Sequence, residues 1–146
     1  MAFKINIGDK SGKTYKLESE APALIDKEIK TIIQGEDVSQ DLEGYEFEIS
    51  GASDKSGFPA LDTVEGIGLK RVLLKYGKGM KKRPKYEGKL KRSNNKPKGL
   101  RLRKGIRGKI ISSEISQINL KVLKVGKKSL EEIFNPKTEK VKEEKK

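Results

Sequence analysis

Apolar residues in this chain recur at every second position, in short runs, and that period constrains the fold more than any other feature. Phe3, Ile5 and Ile7 alternate with Lys4 and Asn6, and Tyr15 and Leu17 alternate with Thr14, Lys16 and Glu18. Between these runs lies Gly8-Asp9-Lys10-Ser11-Gly12, which is turn chemistry, so the pair predicts a β-hairpin. YEFEIS puts Tyr45, Phe47 and Ile49 on one face and Glu46 and Glu48 on the other, a half-buried strand. RVLLKYG gives a strand around Val72, Leu74 and Tyr76, and INLKVLKV a short, largely apolar one. Leu100 to Ile111 sets Leu100, Leu102, Ile106 and Ile110 against Arg101, Arg103, Arg107 and Lys109, with Lys104 interrupting the inner face.

Helical spacing is rarer. Pro22 suits a first helical turn, and Ile25, Ile29, Ile32 and Ile33 fall at i, i+4, i+7 and i+8, with Gly35 where a helix stops. The stretch from Asp37 to Gly44 reads as a polar loop, and SLEEIF supports one or two helical turns. The expectation is a β-rich α+β fold. It would be a small, mostly antiparallel, barrel-like domain over residues 1–134 with one main helix and a short C-terminal helix. Residues 77–99 form a long basic loop within it, and 135–146 a charged tail.

Charge sorts the chain into three parts. Residues 1–66 hold 7 Lys/Arg and 14 Asp/Glu, residues 67–112 hold 18 Lys/Arg and only Glu87, and residues 113–146 hold 9 and 6. A belt this dense repels itself unless it meets a polyanion, and nucleic acid is the leading partner. The charged share of 38% against a hydrophobic share of 33% implies a small core under a polar surface. No run of about 18 apolar residues is present to span a membrane, and the first residues lack an apolar signal core, which points to the cytoplasm.

Several chemistries find no support. With no His and no Cys, the commonest general base, the thiol nucleophile and the usual zinc ligands are missing. GDKSGKT imitates a phosphate-binding loop, but Gly8 and Gly12 bracket three residues where four are needed, and a strand pattern follows in place of a helix. DVSQD does not continue into a calcium loop. The reading is of a non-enzyme with no cofactor, metal or small-molecule substrate.

The belt suits phosphate. Lys70 and Arg71 precede the apolar part of the RVLLKYG run; Lys78, Lys81, Lys82, Arg83 and Lys85 open the loop. Lys89, Lys91, Arg92, Lys96 and Lys98 continue it, and Arg101, Arg103, Lys104, Arg107 and Lys109 close the belt. Same-side residues of a strand lie roughly 6 to 7 Å apart, close to phosphate spacing along a nucleic-acid strand. Only Tyr76 and Tyr86 interleave, so the belt reads as a backbone binder with little base stacking.

The order YEFEISGASDKSGFP, RVLLKYG, RLRKGIRGKIIS and ISQINLKVLKVG resembles one family across about residues 2 to 130. That family is small-subunit ribosomal protein six of the archaeal and eukaryotic type. Ala52 stands where its members often have a second Gly, Ala60 where Met is usual, and Gly105-Ile106 where Ser-Val precedes the arginine. Without the long Arg- and Ser-rich C-terminal helix of eukaryotic members, the chain resembles the short archaeal form. The resemblance implies a structural component of the small ribosomal subunit, bound to its RNA beside neighbouring ribosomal proteins, with no catalytic activity. It further implies that Gly51, Gly57 and Pro59 shape the SGASDKSGFP loop, that Phe58 tucks it onto the core, and that Lys55 reaches a phosphate. Turn and RNA contact both stay open for that loop, and a free-standing basic module is the alternative to a ribosomal one.

Overall fold

Strands β1 (Phe3–Gly8) and β2 (Thr14–Ser19) pair antiparallel with Ile5 opposite Leu17, the hairpin that their alternation requires. The turn between them closes through the Asp9 N–H donating to the Lys13 carbonyl at 2.9 Å. The computed structural model describes residues 2–80 and 98–134. Its remaining strands are β3 (Ile32–Gln34), β4 (Glu46–Asp54), β5 (Leu69–Lys75), β6 (Arg101–Arg107) and β7 (Ile115–Lys124), followed by helix α1 (Leu130–Phe134).

Five of the strands make one sheet in the order β2-β1-β7-β4-β3, while β5 and β6 make a separate two-stranded ribbon. Every pairing is antiparallel except β1 with β7. The expected barrel does not form, because the edge strands β2 and β3 stay apart and the sheet is open. One face of that sheet carries Phe3, Ile5, Ile7, Phe47, Ile49, Ile118, Leu120 and Val122, all buried. Irregular chain supplies its cover: Ala21, Leu24, Ile29, Val38 and Leu42, with Leu130 of α1 at one end. With loops covering the face, no second sheet is needed and closure brings no gain in burial.

The expected main helix is absent as well. Pro22 opens only a three-residue 3-10 turn, Pro22–Leu24. Asp26 and Lys30 then adopt left-handed φ values of 64° and 73°, which no α-helix contains. The backbone groups of this segment find partners elsewhere: Asp26 N–H on Ile111 O at 2.9 Å, Ile29 N–H on Lys109 O at 3.0 Å, and Lys30 N–H on Ile49 O at 2.8 Å. Ile29 and Ile33 are buried, whereas Ile25 and Ile32 are 38% and 57% exposed. The helical spacing is a coincidence of four β-branched residues, a type with modest helix propensity. Asp37 to Gly44 is only partly a polar loop, because two more 3-10 turns bury Val38 and Leu42 within it.

The ribbon has its own small core of Leu61, Val64 and Ile106, with Val72 and Leu74 packed against it. Met80 is fully buried, so the start of the expected basic loop packs on the domain. Residues 81–97 of that loop and the expected tail, 135–146, lie outside the described residues. No described helix is long and apolar enough to cross a membrane.

Candidate nucleic-acid interface

The SGASDKSGFP stretch spans the end of β4 and a tight turn. Gly57 N–H donates to Asp54 O at 2.9 Å, Asp54 N–H donates to Phe58 O at 3.0 Å, and Ser56 N–H reaches Asp54 Oδ1 at 3.3 Å. The turn needs a left-handed residue, and Gly57 supplies it with φ 83° at no steric cost. Lys55, Ser56 and Gly57 are exposed at its tip. Pro59 O accepts the Arg107 N–H at 3.0 Å, tying the turn to the end of β6. Phe58 lies over Gly105 of the ribbon, so close that a Cβ at 105 would come within 3.1 Å of its ring. The bare backbone at Gly105 is what admits that ring.

Arg107 clasps this turn. Its Nε and Nη2 both donate to Asp54 Oδ2, at 2.9 and 2.6 Å, and Nη1 pairs with Glu114. The Arg107 and Asp54 side chains are only 13% and 9% exposed. The guanidinium holds the Asp54 carboxyl below its usual range, and Asp54 in turn raises the guanidinium. Lys109 is engaged in the same way, 3.1 Å from both Glu28 and Glu65, and its ammonium is raised by those carboxylates. Two cations expected to meet phosphate thus have carboxylate partners within the protein's own chain. For Arg107 these acids, Asp54 and Glu114, are 53 and 7 residues away in sequence.

The other belt cations divide by position. Register places Leu73 opposite Arg103 and Lys75 opposite Arg101, so Arg71, Lys75, Arg101 and Arg103 share one face of the ribbon. All four are exposed, and among the described residues none has a carboxylate partner. Leu69 and Leu73, 48% and 50% exposed, lie on that same face. Lys70 and Lys104 point to the opposite side, where the Lys70 ammonium donates to the Glu65 carbonyl at 2.7 Å. Lys98 is exposed just ahead of β6. Lys78 turns back onto β4, donating to Ser50 O at 3.0 Å. Lys81, Lys82, Arg83, Lys85, Lys89, Lys91, Arg92 and Lys96 lie outside the described residues.

Lys75 is the cation that the sequence reading does not single out, because its strand stands out for its apolar residues. Its two-residue alternation with Leu74 and Tyr76 is the available signal, since period two puts it on the face of Arg71. Chemically, the face offers fixed positive charge, two planar guanidinium forks on β6 and adjoining apolar surface. No described group of three or more acids is arranged to hold a metal ion.

The model of the family described as Ribosomal protein S6e matches residues 3–135 of this chain. A protein of Methanococcus maripaludis (strain C6) named small ribosomal subunit protein eS6 is 44% identical over 127 residues, covering 86% of this chain and 90% of its own. The protein of that name from Archaeoglobus fulgidus is 41% identical over 143 residues, covering 95% and 100%. The one from Thermoplasma acidophilum is 40% identical over 126 residues, covering 84% and 89%. The family is one of ribosomal structural proteins and not of enzymes, and this chain belongs to it.

Proposed function

We propose that this protein is a structural constituent of the small ribosomal subunit in the cytoplasm, and that it holds ribosomal RNA by its backbone through the β5–β6 ribbon. The observation that carries the reading is the gathering of four exposed cations on one face of a two-stranded ribbon. Elsewhere Lys13 meets Glu131, Lys30 meets Asp62, Lys124 meets Glu46 and Lys127 meets Glu43. Lys4 and Lys121 lie across from Glu18 and Glu48 in strand register, while Lys10, Lys16, Lys27 and Lys128 are single cations without a carboxylate partner among the described residues. On the ribbon, Arg71, Lys75, Arg101 and Arg103 face solvent together with no such partner among the described residues. Phosphates neutralise such a face and release counterions, a favourable step that needs no base recognition. Lys55 at the tip of the clasped turn and Lys98 extend the surface, and the cations of 81–97 are further candidates for phosphate contact. Arg107 and Lys109 act differently, by holding the turn and the ribbon base in place. Neighbouring ribosomal proteins share the site in the subunit; no membrane, cofactor or small-molecule substrate enters the account.

Sucrose-gradient sedimentation tests this. The natural chain should travel with the small subunit through a salt wash, whereas the variant with Arg71, Lys75, Arg101 and Arg103 all changed to Ala should be stripped. A natural chain that stays at the top of the gradient would instead be a free nucleic-acid-binding module. A variant retained as firmly as the natural chain would remove the ribbon from the interface.

A further inference from the structure

The face of the five-stranded sheet away from the core is polar, and near its middle it is hollow. A cavity of about 380 Å³ lies there, with Ser50, Gly51 and Ser53 of β4 and Asn119 of β7 on its floor and Pro59 and Lys78 at its sides. Gly51 pairs directly with Asn119, so a side chain at 51 would project beside that of Asn119. Gly51 is itself buried, yet a Cβ there would meet no atom within 4 Å. Its φ is not among the positive ones either. The pairing of β4 with β7 shifts between Ile49 and Gly51, a bulge of the kind glycine often marks, but no neighbouring atom excludes a side chain here. Open space over a strand glycine also leaves its backbone accessible to an approaching group.

The polar groups around it are oriented in advance. Asn119 Oδ1 accepts from Asn6 Nδ2 and from Gln117 Nε2, each at 3.0 Å. That acceptor is saturated, which leaves the Asn119 amide N–H groups for a ligand. The Ser50 hydroxyl is committed to the Asn119 carbonyl at 2.9 Å, which stiffens the floor. Lys78 donates one N–H to Ser50 O and keeps two N–H groups for an anion at the rim.

We infer that this hollow receives one unpaired nucleotide of the bound RNA, with its base edge on the Asn119 amide, its flat side against Pro59 and its phosphate on Lys78. The inference rests on the proposed RNA binding. The cavity has the size of ordinary small-ligand sites, and it combines amide donors with a cation at the mouth. Unpaired bases splayed out of an RNA fold are recognised in this way, by their edges. The site also gives the SGASDKSGFP stretch a second task, since the residues that lead into the clasped turn are those that floor the hollow.

Gly51→Leu provides the test, because it fills the hollow without strain in the backbone. The full chain and the variant are bound to small-subunit RNA and probed in parallel by hydroxyl radicals for the backbone and by dimethyl sulfate and carbodiimide for base edges. The backbone footprint should be unchanged, while at least one base protected by the natural chain becomes reactive again. Affinity should fall by about tenfold, the worth of one or two hydrogen bonds. Gly51→Ala, a smaller filling, serves as a second variant and should give a partial loss with the same melting temperature. Base protections identical in all three proteins would overturn the nucleotide site alone. No backbone footprint from the natural chain would instead overturn the RNA reading on which it depends.

Discussion

The five-stranded sheet and the β5–β6 ribbon solve different problems with the same alternating pattern. In the sheet, one strand face is fully buried: Phe47, Ile49, Ile118 and Val122 show no exposure, and Lys124 and Lys127 beside it pair with Glu46 and Glu43. In the ribbon, Val72 and Leu74 are only partly buried, two leucines are about half exposed, and Arg71, Lys75, Arg101 and Arg103 on one face have no carboxylate partner among the described residues. A protein selected only for its own stability would not leave four like charges together on a narrow ribbon, since they repel one another. The difference teaches that the sheet is built to fold and the ribbon to be completed by something anionic.

The contrast breaks or sharpens first at the core. Phe47→Ala should cost about 3 to 5 kcal/mol, because a fully buried aromatic leaves a cavity against several strands. Leu73→Ala on the ribbon should change stability by less than about 0.5 kcal/mol. Urea denaturation of both variants measures this, and equal losses would erase the distinction between the regions.

Next in size is the turn that joins them. Gly57→Val should destabilise by about 1 to 3 kcal/mol, since a β-branched residue is strained at φ 83°. Lys55→Ala at the exposed tip should leave the melting temperature unchanged and act only on RNA binding. A fully stable Gly57→Val protein would show that the turn tolerates another conformation.

Smaller again is the acid dependence of the clasp. Arg107 lowers the Asp54 carboxyl in the folded protein, so the folded state binds its proton less readily than the unfolded chain does. The stability contributed by this pair is therefore complete above the ordinary carboxyl value of 3.8 and is lost as pH falls through the lower folded value. Asp54→Asn should flatten the loss of stability below about pH 4. Thermal melts at about pH 2 to 7 measure this, and an unaltered acid limb would show that other carboxylates govern it.

Strands β1, β2, β4 and β7 were legible because period two survives any arrangement of partners. Strand order was not, since nothing in the run ISQINLKVLKV says that β7 lies between β1 and β4, with β1 parallel to it. That order is what leaves the sheet open where a barrel was expected. The false helix had a different cause. Isoleucines at 25, 29, 32 and 33 satisfy a helical stripe, but the left-handed Asp26 and Lys30 answer to backbone partners at Ile111 and Ile49, far along the chain. Of the candidate site, the sign and location of the charge were legible. Which cations remain available was not, because the pairing of Arg107 with Asp54 depends on how β6 meets the end of β4.

The most direct measurement of the central claim is the salt dependence of binding to small-subunit RNA. Replacing Arg71, Lys75, Arg101 and Arg103 with Ala should reduce the slope of log affinity against log salt by about 0.7 to 0.9 for each phosphate left without its cation, or about 3 in all. Arg107→Ala, whose charge is held by Asp54 and Glu114, should lower stability and leave that slope nearly unchanged. An unaltered slope in the fourfold variant, or an equal drop from Arg107→Ala alone, would contradict the claim that the exposed ribbon face is what grips the RNA.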